Sequence, residues 1–356
     1  MKKYLVTGGA GFIGSNFIHY MLKKYNKEDI FIVNLDKLTY AGNLENLKNI
    51  ENKPNYKFIH GDICNKELVE NIFSEYDIDY VVNFAAESHV DRSIKVPEIF
   101  AKTNVLGTVT VLNAAKNAWQ CEGGFKEEKK YLQVSTDEVY GSLGKEGYFM
   151  ETTPLDPHSP YSSSKAGADF MVKAYYDTYK MPVNITRCSN NYGPYQFPEK
   201  LIPLLINNCI NHKSLPVYGD GMNIRDWLYV EDHCRGIDMV LNSGREGQVY
   251  NIGGHNEKAN IYIVKTVIAY LNKNVDSTID ESLIKYVEDR KGHDRRYGID
   301  PTKIKNELGW EPETPFEKGI IKTIKWYIDN EDWMKNVTSG DYQMYYKKMY
   351  GKKVGM

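Results

Sequence analysis

The strongest constraint on the fold is a glycine-rich turn near the start of the chain, where residues 7–14 read Thr-Gly-Gly-Ala-Gly-Phe-Ile-Gly. A short apolar run at residues 4–7 leads into the turn, and a helical run at residues 15–25 follows it. Three of the glycines satisfy the spacing G-x-G-x-x-G. Glycine permits a tight turn and lets backbone amides approach a pyrophosphate at a helix N-terminus. The segment therefore predicts a strand–turn–helix unit that binds a dinucleotide.

The rest of the first half continues the alternation of strand and helix. Further strands are predicted at residues 30–35, 56–60, 80–84, 131–134 and 183–187, and helices at residues 66–76 and 96–119. Short apolar runs separated by helices are typical of a parallel sheet. We therefore expect an α/β fold, with a Rossmann-type doubly wound parallel sheet in residues 1–190.

The pattern changes after about residue 190, where proline, glycine and short mixed segments become frequent. Helices remain predicted at residues 201–211, 261–271, 301–308 and 315–330. We interpret residues 191–356 as mainly a smaller mixed α/β lobe that covers the ends of the parallel strands and binds substrate.

Composition excludes several classes of protein. Lys+Arg 45 against Asp+Glu 47 gives no broad positive field, which argues against nucleic acid as a partner. No apolar run approaches the roughly 18 residues of a membrane span, and glycine comes too early for a secretory leader. The five cysteines lie far apart, as structural thiols of a reducing cytoplasm do, and they predict no metal site.

Asp36 closes the second predicted strand, 22 residues after Gly14. A carboxylate at this point of a dinucleotide fold holds the adenosine ribose, and it disfavours a 2′-phosphate. NAD is therefore preferred over NADP, although Lys37 stands next to this acid. Asp62 and Ile63 follow the third strand, where we expect them to border the adenine.

Two further segments carry side chains suited to proton transfer. Tyr161 and Lys165 are four residues apart near the start of a helix that Ser159 is expected to cap. A nearby ammonium group favours phenolate, so this pair suits a proton acceptor for a hydroxyl. Residues 135–141 read Ser-Thr-Asp-Glu-Val-Tyr-Gly and place Asp137 and Glu138 just past an apolar strand.

The glycine turn, Thr136 and the Tyr161–Lys165 pair resemble the extended short-chain dehydrogenase/reductase family along essentially the whole chain. Within that family, the segment 135–141 resembles the dTDP-glucose 4,6-dehydratases. The same resemblance is carried by residues 85–93 (Ala-Ala-Glu-Ser-His-Val-Asp-Arg-Ser), 190–196 (Asn-Asn-Tyr-Gly-Pro-Tyr-Gln), 200–203 (Lys-Leu-Ile-Pro) and 225–227 (Arg-Asp-Trp). It implies oxidation of a nucleotide sugar at C4, elimination of water across C5–C6 and return of hydride to C6. The family's roles put Tyr161 and Thr136 in the oxidation, Glu138 as the base and Asp137 as the acid.

The resemblance also implies the residues that line the two ends of the site. The expected NAD contacts are Gly8, Gly11, Phe12, Ile13, Gly14, Asp36, Lys37, Leu38, Thr39, Asp62, Ile63, Ala85, Ala86, Ser88, Thr103, Tyr161, Lys165 and Asn191. The expected substrate contacts are His89, Thr136, Asn190, Lys200, Leu201, Pro216, Tyr218, Arg225, Asn260, Arg290 and His293. Arg225 and Arg290 suit a diphosphate because a guanidinium group can donate two hydrogen bonds to phosphate oxygens.

One departure from the family pattern is Lys291, which stands where the bacterial dTDP-glucose enzymes usually have proline. This leaves the nucleobase open, so a UDP-glucose 4,6-dehydratase is an alternative. A nucleotide-sugar 4-epimerase would share the fold, NAD, Tyr161 and Lys165, but would normally have small or hydroxyl residues at 137 and 138. A catalytically silent NAD-binding regulator would need none of these groups together. The resemblance further implies a homodimer, formed through the helices near residues 96–119 and 159–179.

Overall fold

A seven-stranded parallel sheet forms the centre of the protein, whose computed structural model describes residues 1–289 and 294–339. From one edge to the other, the strands are Val249–Ile252, Val183–Cys188, Lys130–Thr136, Tyr80–Asn83, Lys2–Thr7, Ile30–Asp36 and Tyr56–His60. The central strands are apolar and buried along nearly their whole length. Such runs are expected of parallel strands that are covered on both faces.

Helices cover both faces of this sheet. Phe12–Lys24 and Val230–Ser243 pack together on one face. Lys66–Tyr76, Thr108–Trp119 and Pro160–Tyr179 cover the other face. This arrangement confirms the predicted Rossmann-type doubly wound fold.

The helical stretch predicted at residues 96–119 is not one regular helix. It consists of Pro97–Phe100, the π-helical turns Ala101–Gly107 and the helix Thr108–Trp119. Asn104 lies within the π-helical turns, and its side chain donates to the hydroxyl of Ser164 at 2.8 Å. Apolar periodicity cannot reveal such a change of helical pitch, which is often found near functional sites.

A smaller lobe contains two further sheets. Ile224–Tyr229 pairs with Asn190–Tyr192 and with Glu257–Ala259, and Leu215–Tyr218 pairs with Ile284–Val287. The helices Leu201–Ile210, Asn260–Asn274, Phe316–Asp329 and Glu331–Val337 pack around a second core. The remaining elements are the helices Val90–Lys95 and Thr302–Leu308, the 3-10 helices Leu44–Leu47, Asp137–Tyr140 and Glu281–Leu283, and the hairpin Gln120–Cys121 with Gly124–Phe125.

The two lobes interleave along the chain. After residue 191 the chain returns to the main sheet through the helix Val230–Ser243 and the strand Val249–Ile252. The helix Val230–Ser243 was not predicted from the sequence. The division between residues 190 and 191 stays a prediction. Within the described ranges, every helix falls short of the length and apolar character that crossing a bilayer requires.

Candidate active site

The glycine turn forms the floor of a cleft at the carboxyl ends of the central strands. Gly8 has a φ of +68°, and a Cβ added there would lie 2.7 Å from the backbone of Ala85. Only glycine suits both conditions. Gly11 caps the helix Phe12–Lys24 without a side-chain hydrogen bond. The first amides of this helix are therefore available to an anionic ligand in the cleft.

The carboxylate of Asp36 is held in the same cleft by backbone amides. Its Oδ2 accepts from Ala10 N at 2.9 Å, and its Oδ1 accepts from Leu38 N at 2.8 Å. Burial raises the pKa of Asp36 above its usual value, and the two amides oppose that shift. Lys37 pairs with another acid, since its Nζ lies 2.8 Å from Asp62 Oδ2. The charge next to Asp36 is thus neutralised within the protein, which favours an unphosphorylated ribose.

The structure brings nearly all predicted cofactor residues to this cleft. The exception is Leu38, which is absent from the cleft lining. Its backbone φ is +53°, its amide supports Asp36, and its side chain packs against the main core. The uncapped helix terminus and the close-packed glycine turn suit the pyrophosphate of a dinucleotide, and the fixed carboxylate of Asp36 suits its ribose. The chain's own residues therefore fit NAD.

The acid pair lies where the strand Lys130–Thr136 ends and a 3-10 helix begins. Thr136 Oγ1 accepts from the backbone amide of Glu138 at 3.3 Å and donates to Asp137 Oδ1 at 3.2 Å. Asp137 is only 2% exposed. Burial, and then the negative charges of Glu138 and Asp226, raise the pKa of Asp137 well above its usual value. Asp137 is therefore suited to donate a proton near neutral pH, as the acid role requires.

Tyr161 and Lys165 face the same part of the cleft from the helix Pro160–Tyr179. A capping box between Ser159 and Ser162 fixes the start of that helix. Burial and the Glu138 carboxylate raise the pKa of Tyr161 well above its usual value, while a hydrogen bond with Thr136 opposes the shift. Lys165 Nζ donates to the carbonyl oxygen of Val134 at 2.7 Å, and burial lowers its pKa. Burial and the neighbouring carboxylate thus oppose the phenolate that Lys165 was predicted to favour, because two negative charges would lie close together in a buried site.

A second cavity continues from the first, and Ser88, Glu138, Asn190 and Lys200 line both. The predicted substrate residues within the described ranges all line at least one of the two cavities: His89, Thr136, Asn190, Lys200, Leu201, Pro216, Tyr218, Arg225 and Asn260. Arg290 and His293 lie outside the described residues.

Arg225 is held firmly in the second cavity. Its Nη1 donates to Ile224 O at 2.8 Å and its Nη2 to Asp294 O at 2.9 Å. Its guanidinium lies 4.2 Å from the ring centre of Tyr297. The guanidinium thus has a fixed orientation, as bidentate recognition of a phosphate requires.

The sequence reasoning missed several residues of the site. Glu199 lines both cavities and accepts from the hydroxyl of Tyr40 at 3.1 Å. Tyr297 lines the second cavity, and Asp226 is buried where its charge raises the pKa of Asp137. Glu199 directly precedes the predicted contact Lys200, and Asp226 directly follows the predicted contact Arg225. Their position next to predicted contacts was the sequence signal that could have identified both acids.

Fold and site together define a dinucleotide-dependent enzyme of the extended short-chain dehydrogenase/reductase class. A family model described as GDP-mannose 4,6 dehydratase matches residues 5–323. A dTDP-glucose 4,6-dehydratase of Xanthomonas campestris is 50% identical over 348 residues, which cover 97% of this chain and 98% of the relative.

Two solved structures that resemble this chain belong to the same group of enzymes. A dTDP-glucose 4,6-dehydratase of Bacillus anthracis, in complex with NAD, has a TM-score of 0.85 and 54% identity, and the match covers 95% of this chain and 100% of that one. The Streptomyces venezuelae enzyme, with NAD and TDP bound, has a TM-score of 0.87 and 45% identity, with 94% and 99% covered. The chain belongs to the dTDP-glucose 4,6-dehydratase family.

Proposed function

We propose that the protein is an NAD-dependent hydro-lyase that converts dTDP-glucose to dTDP-4-keto-6-deoxyglucose. The observation that carries this proposal is the burial of Asp137 beside Glu138, within the cleft that Thr136 and Tyr161 also line. A simple dehydrogenase or epimerase needs no second acid at this point. The relatives of similar sequence carry the same activity in their names.

Oxidation at C4 requires loss of a proton from the hydroxyl and of a hydride from the carbon. NAD, when bound, supplies the hydride acceptor for C4 and later the hydride for C6. Thr136 binds the sugar hydroxyl and Tyr161 accepts its proton. Because burial and the Glu138 carboxylate raise the pKa of Tyr161, this step needs positive charge near the phenol. Lys165, four residues away on the same helix, is placed to supply part of it.

Elimination of water uses the two carboxyl groups in opposite protonation states. The 4-ketone acidifies the C5 hydrogen, which Glu138 removes as a proton. The C6–O bond breaks as Asp137 donates a proton to the departing oxygen, so that water leaves. Hydride then adds at C6 and a proton returns to C5, which gives the 4-keto-6-deoxy sugar without net oxidation or reduction. The raised pKa of Asp137 is what the acid of such a pair needs.

The nucleoside diphosphate end is assigned to the second cavity. Arg225 is proposed to bind the diphosphate and Tyr218 to stack on the base, with Pro216 beside it. Thymine is preferred over uracil because relatives with 50% and 54% identity to this chain are dTDP-glucose enzymes. Arg290 and His293 are proposed to complete the diphosphate site.

Labelled substrate tests this function directly. Purified protein is incubated with dTDP-glucose that carries deuterium at C4, and the product is examined by NMR. We expect a 6-deoxy methyl group that carries the deuterium, formed without added NADH. Parallel reactions with UDP- and CDP-glucose identify the nucleobase. A product that keeps its C6 oxygen and is inverted at C4 would instead identify an epimerase.

We also propose a homodimer in the cytoplasm, joined through the helices near residues 96–119 and 159–179. This is supported by large apolar side chains on neighbouring helices, since Leu106 is 54% exposed and Phe170 61% exposed. Light scattering of the wild type and of Leu106→Glu tests the assembly. A wild-type chain of about 41.0 kDa in solution would exclude the dimer.

A further inference from the structure

The C-terminal helix Glu331–Val337 contacts the dinucleotide-binding part of the molecule through Trp333. The indole N–H of Trp333 donates to Asn46 Oδ1 at 2.9 Å, and both side chains are buried. Asn46 belongs to the 3-10 helix Leu44–Leu47, which only Asn43 separates from Ala41 and Gly42 of the cofactor cleft. A residue of the second lobe thus reaches a segment that borders the cofactor.

Asn46 extends this connection to the glycine turn. Its Nδ2 donates to Ala10 O at 2.9 Å, and the amide of Asn43 donates to the same oxygen at 3.0 Å. The amide of Ala10 donates to Asp36 Oδ2 at 2.9 Å. Ala10 is therefore fixed at both of its backbone polar groups. One line of hydrogen bonds joins Trp333 to the carboxylate that is expected to hold the ribose.

The packing around Trp333 keeps its indole in place. Trp326, Tyr327 and Tyr195 surround it, with ring centres 5.1, 5.9 and 6.1 Å away. Tyr195 directly precedes Gln196 and Phe197, which line the cofactor cleft. Because Asn46 is only 2% exposed, its Oδ1 would lie in a dry environment if the indole donor were removed.

We propose that Trp333 is a positioning residue for NAD, which keeps residues 36–47 in the conformation that retains the cofactor. Trp333 does not itself line the cleft. It acts through Asn46 and Ala10, so its loss lowers the fraction of protein in the binding-competent conformation and thereby the apparent affinity. This inference rests on the NAD dependence proposed above, but its first readout is cofactor retention, which does not depend on dehydratase activity.

Cofactor release is measured on the full chain loaded with NAD. Excess NAD is removed by rapid desalting, and the NAD that stays on the protein is quantified in acid extracts over time. Trp333→Phe keeps most of the aromatic packing and loses the N–H. We expect it to release NAD about tenfold faster than the wild type, which is within the range for leaving one buried acceptor unpaired. Saturating NAD should restore its kcat.

Trp326→Phe is the matched control, since it alters the same aromatic cluster and leaves Asn46 bonded. We expect its release rate to stay within about twofold of the wild type, as for a substitution that leaves the network intact. Equal acceleration in both variants, or wild-type retention in Trp333→Phe, overturns the proposal.

Asn46→Asp provides a second variant of nearly the same shape. It retains the acceptor for the indole and removes the donor to Ala10 O, so it should also release NAD faster. It tests the link through which Trp333 is proposed to act, so wild-type retention in this variant overturns the proposal even if Trp333→Phe does not fold. A wild-type chain that binds no NAD would overturn the proposed function as well, whereas retention by both variants would overturn this inference alone.

Discussion

The ammonium group of Lys165 donates a hydrogen bond to the backbone carbonyl oxygen of Val134, at 2.7 Å. The pairing anchors the helix that carries Tyr161 to the strand that leads to Thr136. It also places the lysine charge on the strand side of the site, while burial and the Glu138 carboxylate raise the pKa of Tyr161. Both effects favour the protonated tyrosine, so positive charge near the phenol is needed to activate it.

Tyr161→Phe should abolish the first step of the reaction. Loss of one general base typically costs about 10²–10⁴ in rate, so kcat should fall by that factor. The measurement is single-turnover formation of enzyme-bound NADH from dTDP-glucose, followed by absorbance. Binding of TDP and the NAD content should match the wild type. Normal NADH formation in this variant would remove Tyr161 from the oxidation.

Glu138→Gln should separate oxidation from elimination. The amide is nearly the same shape as the carboxylate but cannot accept the C5 proton. Bound NADH should therefore accumulate, while water loss slows by about 10²–10⁴. Asp137→Asn is the matched variant: exchange of the C5 hydrogen in D₂O should persist, because only the acid is lost. If both variants lose NADH formation as severely as elimination, the division of roles between the two acids is wrong.

Asp137→Asn should also stabilise the fold at neutral pH. The folded-state pKa of Asp137 is raised, so the folded protein binds this proton more tightly than the unfolded chain. Its contribution to stability is complete below the unfolded pKa and declines as the pH rises toward the folded one. Asparagine does not ionise and avoids that loss.

We expect a gain on the order of 1 kcal/mol near pH 7 that disappears below about pH 4, the pKa of an unfolded aspartate. Thermal unfolding at both pH values measures it. The exposed Glu146→Gln serves as control. A destabilised Asp137→Asn at pH 7 would contradict the burial argument.

Much of the site was predictable because its chemistry follows from short segments of sequence. The glycine turn and Asp36 occur where parallel strands end, and their position in the cleft follows from the topology alone. Asp226 illustrates the limit. Its charge acts on Asp137 from a strand in the other lobe, at a sequence separation that no local pattern reports. Leu38 was predicted as a cofactor contact, but it is absent from the cleft lining, and its backbone amide supports the carboxylate of Asp36.

The fold likewise contains elements that local sequence predicts and elements that it does not. The strand predicted at residues 56–60 and the helix predicted at residues 66–76 match the observed elements Tyr56–His60 and Lys66–Tyr76. Each sequence segment has a clear periodicity of apolar residues, and the helix also has Asn65 as its N-cap. The strand Val249–Ile252 was not predicted. It joins the main sheet beside Val183–Cys188 only after the chain has built part of the second lobe. Short strands in loop-rich sequence are recognised only through their partners.

Arg225→Lys should weaken the diphosphate end of the site and leave the cofactor end unchanged. Lysine keeps the charge but cannot match the planar guanidinium that two carbonyl oxygens and the Tyr297 ring now orient. We expect TDP to bind the NAD-loaded protein about tenfold more weakly, and Arg225→Met to bind it about a hundredfold more weakly, which correspond to about 1.4 and 2.7 kcal/mol. Isothermal titration measures both affinities, with NAD content as the internal check.

Arg295→Lys is the control, because Arg295 is exposed and paired with Asp220, and this variant should bind TDP normally. Unchanged TDP affinity in Arg225→Met would move the diphosphate away from Arg225.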